Sequence, residues 1–392
     1  MIPDRLPPGG WRDAEAVRAV VAALTAGGTP VRFVGGCVRD ALLGEAPADI
    51  DIATPDPPKA VMALARAAGL KALPTGIAHG TVTVVADHQP VEVTTLRHDV
   101  ETDGRHAVVA FTDDWHADAQ RRDFTINALY ADPDGTLFDP VGGLADLDAG
   151  VVRFIGDAGQ RLAEDYLRAL RFFRFHARFA KGAADEEALS AIAAAREDLR
   201  RLSAERIASE LLKTLILPRA ALAVDLMEAS GVLAVILPEA ADTARMRRLA
   251  GLGLGDGLLR LAALLPDEPA LGPVIGTRLR LSRAMTARLA AALEPAPVPA
   301  ADEGLRALIH RAGRQAAVDR LTLAGEGARA AHAAAIEVPA FPLKGADAAA
   351  LGLARGPEMG ARLRAVEDWW LAEGLRPDRA ACLSRLREDL GR

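Results

Sequence analysis

Residues 33–54, FVGGCVRDALLGEAPADIDIAT, place two glycines at the end of a short apolar run and two aspartates shortly beyond. Glycine lets backbone N–H groups approach an anion without a Cβ in the way. A helix opening there, over 36–43, adds orphan donors and the positive end of its dipole. Arg39, in the first turn, can add a charge-assisted contact. Asp49 and Asp51 would repel the same anion. Spaced i and i+2 on a strand, they share one face about 7 Å apart, with Ile50 and Ile52 on the other. Two such carboxylates can share hard divalent cations, and the cation turns an anion-repelling site into an anion-binding one. A metal–triphosphate complex satisfies glycines and aspartates together. Taken singly, the Gly-Gly is also compatible with an ordinary tight turn, and Asp-Ile-Asp with a solvated edge strand.

The elements on either side fit a small mixed domain. Residues 11–26 read as an amphipathic helix closed by Gly27-Gly28, and VRFV (31–34) as a buried strand. Residues 57–69 read as helix. HGTVTVVAD (79–87) and PVEVTTLR (90–97) read as a strand pair with a turn near His88. HDVETDGRHAV (98–108) is too polar for a core and is expected to be a mobile loop. Residues 115–130 are expected to return to helix. Beyond 150 the periodicity is helical: 164–180, 185–199, 203–217 and 221–237 are each amphipathic, with breaks at EPAPVPAA (294–301) and EVPAFPLKG (337–345).

Three further clusters bear chemistry. Glu92 sits in an apolar strand; beside DIDIA it would be a third carboxylate, able to help hold metals and polarise a hydroxyl, and otherwise it faces solvent. RRDFTINAL (121–129) gathers Arg121, Arg122, Asp123 and Asn127 between apolar anchors. In EDYLRALRFFR, Asp165, Arg168, Arg171 and Arg174 step by three, so they wind around the helix as a stripe. Phe172, Phe173, Phe175 and Phe179 abut it, so one side is core. Ion pairing on a solvated helix accounts for such a stripe equally well.

Composition narrows the class. Residues 1–150 hold 12 Lys and Arg against 22 Asp and Glu; residues 151–219 hold 13 against 10, and 220–392 hold 22 against 21. An acidic head on a mildly basic middle argues against a protein that simply coats nucleic acid. The longest apolar stretch, 220–238, contains Asp225 and Glu228, too polar for a membrane span. The start lacks the basic-then-apolar pattern of a secretory signal. Cys37 and Cys382 are the only cysteines, so no disulfide framework or cysteine-rich zinc site exists. A reducing cytoplasm fits.

In order along the chain, GGCVRDALLG, DIDIAT, HGTVTV…VEVTTLR, RRDFTINAL, DPVGGLADL, EDYLRALRFFRF and SAERIASELLKTL resemble the class II nucleotidyltransferases of the polymerase-β superfamily: the tRNA CCA-adding enzymes and bacterial poly(A) polymerases. The resemblance covers about the first 215 residues, continues weakly through LMEASGVLAVILPE, and returns in LGLARGPEMGARLRAVEDWWLAEG. It implies an α+β fold, a small mixed-sheet nucleotidyltransferase head followed by an all-α neck, body and tail. The corresponding partition is a catalytic head at 1–150, a base-recognising neck at 151–219, a body at 220–300 and a tRNA-binding tail at 301–392.

The resemblance also implies roles. Gly35, Gly36 and Arg39 contact the triphosphate. Asp49 and Asp51 hold Mg²⁺, and Glu92 completes the catalytic carboxylates. Arg122 binds the nucleotide, while Asp123 and Asn127 shape the ribose site. Asp165, Arg168, Arg171 and Arg174 read the base and hold phosphate. Asp accepts only and Arg donates only. C and A both present an amino donor beside a bare ring nitrogen; U and G present a carbonyl beside an N–H. Asp165 with Arg168 therefore suits CTP and ATP, and unpaired buried groups make rejection of UTP and GTP strong.

The expected function is addition of CCA to the tRNA 3′ end from CTP and ATP, with release of pyrophosphate. A flexible loop permits the switch between the two nucleotides in this family, and Arg97, Asp99, Asp103 and Arg105 occupy its place. The alternative is a poly(A) polymerase, which would profit from a long basic tail that a pI near 5.8 does not supply. A non-catalytic RNA-binding descendant is disfavoured by the presence of both Asp49 and Asp51. A small-molecule or protein nucleotidyltransferase is disfavoured by the long helical extension, which could grip the tRNA acceptor arm by shape.

Overall fold

The computed structural model describes residues 3, 5–103, 106–295 and 297–391, without the side chains of 99–103 and 106–109. The chain divides into two compact units, Met1–Pro238 and Glu239–Arg392.

The first unit is built around one mixed sheet. Helix α1 (Glu15–Thr25) precedes strand β1 (Arg32–Val34), which turns into α2 (Gly36–Leu42). Strand β2 (Asp51–Thr54) is followed by α3 (Pro58–Ala67), β3 (Lys71–Gly76), β4 (Thr81–Ala86) and β5 (Gln89–Thr95). The expected strand pair is present. β4 and β5 run antiparallel, and the turn between them places Asp87 and His88 at φ 44° and 60°, left-handed values that a type I′ hairpin turn uses. α1 and α3 pack on this sheet, burying Val17, Val20, Leu24, Val61 and Ala65 against the inner faces of Val82, Val84, Val91 and Val93.

Two expectations change. The polar stretch after β5 is not a loop but a hairpin, β6 (Arg97–Asp103) paired antiparallel with β7 (His106–Phe111), from Arg97 opposite Phe111 to Asp103 opposite His106. Arg105 and the side chains of Asp99 and Asp103 lie outside the described residues. Helix over 115–130 is confined to α4 (Trp115–Gln120). At Phe124 the chain is extended and bridges Phe154, a short 3₁₀ turn covers Thr125–Asn127, and strand β8 (Tyr130–Ala131) follows. Asp123 turns its carboxylate onto the N–H of Phe124 at 2.9 Å, giving that group a partner outside a helix.

With β9 (Leu137–Phe138), the sheet order is β3-β4-β5-β2-β1-β8-β9. β2 and β5 are parallel, joined by the crossover through α3, β3 and β4, and their register sets Asp51 opposite Glu92. The chain then becomes helical: α5 (Gly143–Ala149), α6 (Ala158–Glu164), α7 (Leu167–Phe179), α8 (Glu186–Ala194), α9 (Ala204–Leu215), α10 (Ala220–Ala229) and α11 (Val232–Ile236). An aromatic cluster ties α7 to the head. Phe124 lies 5.0 Å from Phe154 and 5.3 Å from Phe175, and Phe154 stacks on Phe172 at 5.9 Å. Such ring pairs contribute beyond the area they bury. This is the core side of the stripe expected from sequence.

The second unit is, among the described residues, a succession of helices from Thr243 to Asp389. One of its cores centres on Trp370, Val366, Cys382 and Leu386, another on Leu305, Ile309, Ala317 and Leu321.

Candidate active site

The turn that links β1 to α2 forms one wall of a cavity of about 470 Å³. Gly35 takes φ 71°, ψ −122°, a conformation that side-chain-bearing residues avoid. A Cβ there would come within 3.4 Å of the Arg122 guanidinium and of the Asn127 carbonyl. The glycine is thus required by the bend of the backbone, which brings it into ordinary contact with the arginine.

The cavity gathers Gly35, Gly36, Arg39, Asp51, Arg122, Asp123, Asn127, Asp165, Arg168 and Arg171, residues from stretches far apart in the chain. Arg121, Leu167, Phe175 and Arg206 complete its lining. Arg206 lies on α9 and was not singled out by sequence; its only signal is a basic residue on the charged face of an amphipathic helix. Of the residues expected to hold metal or nucleotide, three do not line the cavity. Arg174 lies deeper in the helical layer, where its Nε donates to Glu210 at 2.6 Å. Asp49 is exposed, just before β2, and Glu92 is exposed at the edge of the register beside Asp51.

Each cation in the cavity is held by a carboxylate. Asp123 is buried and accepts from Asn127 Nδ2 and the Phe124 N–H, each at 2.9 Å, and from Arg171 Nε at 2.7 Å. Burial alone would raise its pKa, but Arg171 and these hydrogen bonds hold it below the ordinary carboxylate range. Arg39 is folded inward. It donates to Asp40 at 2.7 and 2.9 Å and to Asn127 Oδ1, and its guanidinium lies 4.2 Å from the Phe179 ring centre. Burial lowers its pKa. In this arrangement Arg39 lines the cavity while its donors orient Asn127 and Asp40.

Asp118, which sequence reading passed over, is the hub of the arginine pair. It is 1% exposed. It accepts from Arg121 at 2.6 and 2.8 Å, from Arg122 at 3.1 Å and from the Tyr130 hydroxyl at 2.7 Å. It also receives the Arg97 N–H at 3.3 Å, while Arg121 Nε donates to the Arg97 carbonyl at 3.1 Å. Arg97, at the foot of the β6–β7 hairpin, is therefore fastened to the arginines of the cavity. Burial opposes the charge on Asp118, but Arg122 and Arg121 overcome it and bring the pKa down to about 2. The i, i+3 and i, i+4 spacing of Asp118 to Arg121 and Arg122 was its legible signal.

The carboxylates on the other wall behave oppositely. Burial pushes Asp51 up to about 6, with Glu92 and Asp49 raising it further and Arg122 drawing it down. Its negative charge is thus undercompensated by the protein, which is the electrostatic condition of a cation site. Among the described residues no three His, Cys, Asp or Glu side chains converge as a ready-made metal cage. The donor set fits a hard cation that takes Asp51, a neighbouring carboxylate and outside oxygens, as a magnesium ion on a triphosphate does. Cys37 is buried beneath the turn and its thiol is pushed up to about 12 by desolvation, so it is a packing residue.

Comparison with known proteins places relatives around these residues. Residues 31–153 match the family of the poly A polymerase head domain, and residues 184–243 the family described as "Probable RNA and SrmB- binding site of polymerase A". The chain is 49% identical over 188 residues to the mitochondrial CCA tRNA nucleotidyltransferase 1 of Mus musculus, covering 47% of this chain and 43% of that protein. It is 42% identical over 196 residues to the CCA-adding enzyme of Oceanobacillus iheyensis, covering 50% and 48%. The chain thus spans less than half the length of these curated relatives in the matched region. Among solved structures it is similar to the Bacillus stearothermophilus CCA-adding enzyme in complex with CTP, with a TM-score of 0.75, 26% identity, and coverage of 95% of this chain and 96% of that one. The Thermotoga maritima CCA-adding enzyme complexed with tRNA shares the fold at a TM-score of 0.68 and 21% identity, covering 95% of this chain and 94% of that one. Among the described residues no helix is long and apolar enough to cross a membrane.

Proposed function

We propose, for a chain whose head belongs to the poly A polymerase head family and whose fold is that of the CCA-adding enzymes, that it adds CCA to the 3′ end of tRNA from CTP and ATP and releases pyrophosphate. The observation that carries the reading is the cavity itself. It joins the Gly35-Gly36 turn, the undercompensated Asp51, and Asp165 with its arginines, so phosphate, cation and base can be held by one nucleotide.

The nucleotide's phosphates lie along Gly35, Gly36 and the guanidinium groups of Arg122 and Arg171, with Arg39 behind them. Asp123 and Asn127, fixed to one another and to Arg171, hold the ribose. Asp165 accepts from the amino group of cytosine or adenine, and the arginines beside it donate to the ring nitrogen. Arg174 supports the layer from its ion pair with Glu210. Nucleotidyltransferases of this family generally use a divalent metal; we assign Mg²⁺, held by Asp49 and Asp51 with Glu92 beside them. When bound, it supplies charge neutralisation at the phosphates and a more acidic primer hydroxyl. Asp51 and Glu92 orient that hydroxyl in line with the α-phosphate, and positioning supplies much of the rate. The β6–β7 hairpin, with Arg97, Asp99, Asp103 and Arg105, governs the change from CTP to ATP.

The partition into a head at 1–150, neck at 151–219, body at 220–300 and tRNA-binding tail at 301–392 belongs to this reading, as does action in the cytoplasm. The test is direct. Purified protein with Mg²⁺ is given tRNA transcripts lacking three, two or one terminal nucleotides, with each nucleotide alone and with CTP plus ATP. Addition that stops at CCA and refuses UTP and GTP is expected. A long adenylate ladder on arbitrary RNA would replace the reading with a poly(A) polymerase, and binding of tRNA without addition would replace it with a non-catalytic RNA-binding protein.

A further inference from the structure

Strands β4 and β5 have two unlike faces. Val82, Val84, Val91 and Val93, which meet α1 and α3, are 0% exposed. The residues that alternate with them, Thr81, Thr83, Glu92 and Thr94, are half-buried or exposed. The register arranges these outward residues in rows. Asp51 stands opposite Glu92 and Glu92 opposite Thr83, so one row runs across three strands from the proposed cation site. Thr81 stands opposite Thr94 in the next row. At the usual spacing of strands, Thr83 lies about 10 Å from Asp51. Asp51 lines the nucleotide cavity, whereas Glu92 and these threonines do not. The row therefore leaves the cavity and continues over the sheet.

The hydroxyls on this face are paired across the strands. Thr75 Oγ1 of β3 lies 2.8 Å from Thr83 Oγ1, and Thr81 Oγ1 lies 3.1 Å from Thr94 Oγ1. A β-branched residue suits a strand whether or not it carries a hydroxyl, so the strand alone does not call for threonine over valine. Each pair uses one donor and one acceptor on itself and keeps one donor and three acceptor lone pairs. Such a surface is neutral, and it matches a group that both donates and accepts. A ribose 2′-hydroxyl is such a group, and threonine is among the side chains that bind the sugars of nucleic acids. Neutrality suits a strand whose phosphates already pass close to Asp51 and Glu92, because it adds no further repulsion.

The chemistry of the site brings a ribose to this face. With the nucleotide's phosphates along Gly35 and Gly36, pyrophosphate leaves on that side, and an in-line attack comes from the opposite side of the α-phosphorus. The attacking 3′-hydroxyl then arrives over Asp51 and Glu92, and the RNA that carries it extends along the row, away from the cavity. We propose that the threonine face of β4 and β5 seats the last two riboses of the RNA, with Thr83 and Thr94 reading their 2′-hydroxyls, so that the chain distinguishes an RNA end from a DNA end. This rests on the reading of the cavity as a nucleotide site.

The experiment uses the full chain and tRNA transcripts ending in CC, with ribose or 2′-deoxyribose at the last nucleotide or at the one before it. Equilibrium binding is measured by filter retention for wild type, Thr83→Val and Thr94→Val. Valine keeps the shape and the β-branch, and thermal melts verify that each variant is folded. Wild type is expected to bind a deoxy-ended transcript about fivefold more weakly, the scale of one neutral hydrogen bond. In the matching valine variant the ribose-ended transcript is expected to bind as weakly, and removal of its 2′-hydroxyl to cost nothing further, while CTP affinity stays within about twofold. Such coupling is a readout that a purely structural threonine would not move. A wild type that binds all the transcripts equally overturns the proposal, and so do losses that simply add. Sedimentation as a dimer that Thr75→Arg dissociates would give the face to a second copy of the chain and also overturn it. Nucleotide addition is scored separately: coupled, selective binding without addition refutes the proposed activity and leaves the threonine face standing.

Discussion

Single carboxylates carry opposite loads in this site. The folded-state pKa of Asp51 is raised to about 6, above the ordinary value near 3.9 of an unfolded chain. The sign follows: its ionised form penalises the fold at pH above about 6, and the penalty fades as pH falls through 6 toward 4. Asp51→Asn is therefore expected to melt higher than wild type in EDTA at pH 7.5, by about 1–2 kcal/mol in stability, and to lose that advantage at pH 4 or when Mg²⁺ is added. The same variant is expected to lose nucleotide addition. Differential scanning calorimetry in both buffers checks it; a variant less stable than wild type in EDTA would contradict the electrostatic account. Asp118 is the reverse case. Its pKa is lowered to about 2, so its stabilisation is full above about pH 4 and is lost as pH falls toward 2. Asp118→Asn is expected to cost about 2–3 kcal/mol at pH 7, a difference that shrinks in urea melts at pH 3. An unchanged difference across that range would show that the hub acts through packing alone.

At the scale of elements, the strands and glycines that build the cavity were legible because their signals are local. Gly35 needs a conformation that few residues tolerate, and DIDIAT alternates apolar and charged positions. The β4–β5 hairpin was legible from its alternation and polar turn. What escaped was the work of tertiary partners. The helix expected over 115–130 ends at Gln120 because Phe124 is drawn into an aromatic cluster assembled from three segments. Asp118 and Arg206 carried only weak local signals, a spacing and a charged helix face, because their roles are defined by what faces them. Arg174 was read as part of the stripe, but the stripe winds, so its last arginine meets Glu210 of α9 instead of the cavity. That difference makes a prediction about the helix pair. Glu210→Gln leaves Arg174 half-buried without a charged partner and is expected to destabilise the first unit by about 2–4 kcal/mol. CTP affinity, measured well below the melting temperature, should change less than threefold. A loss of affinity as large as that expected for Asp165 substitutions would place Arg174 back in the nucleotide site.

Across the whole first unit, the pairing of β2 with β5 is the one parallel contact in a sheet whose other neighbours are antiparallel. Asp51 and Glu92 stand side by side only because the chain between them, α3, β3 and β4, has completed its excursion and returned. The proposed cation site therefore has no local precursor: it comes into being at the step that closes the crossover, a non-local contact whose loop-closure entropy is paid before the pairing rewards it. That closure brings two like charges together on adjacent strands. A cation present during refolding offsets their repulsion at the barrier, so stopped-flow refolding of the chain is expected to be faster in millimolar Mg²⁺ than in EDTA, and Glu92→Gln is expected to refold at the faster rate without the ion. An equal rate in all three conditions would mean that the strands meet after the barrier. The consequence concerns synthesis in the cell: a head that stalls before this closure lacks the pairing of Asp51 with Glu92, and on the proposed reading competence to hold the ion would be a report that the sheet has closed.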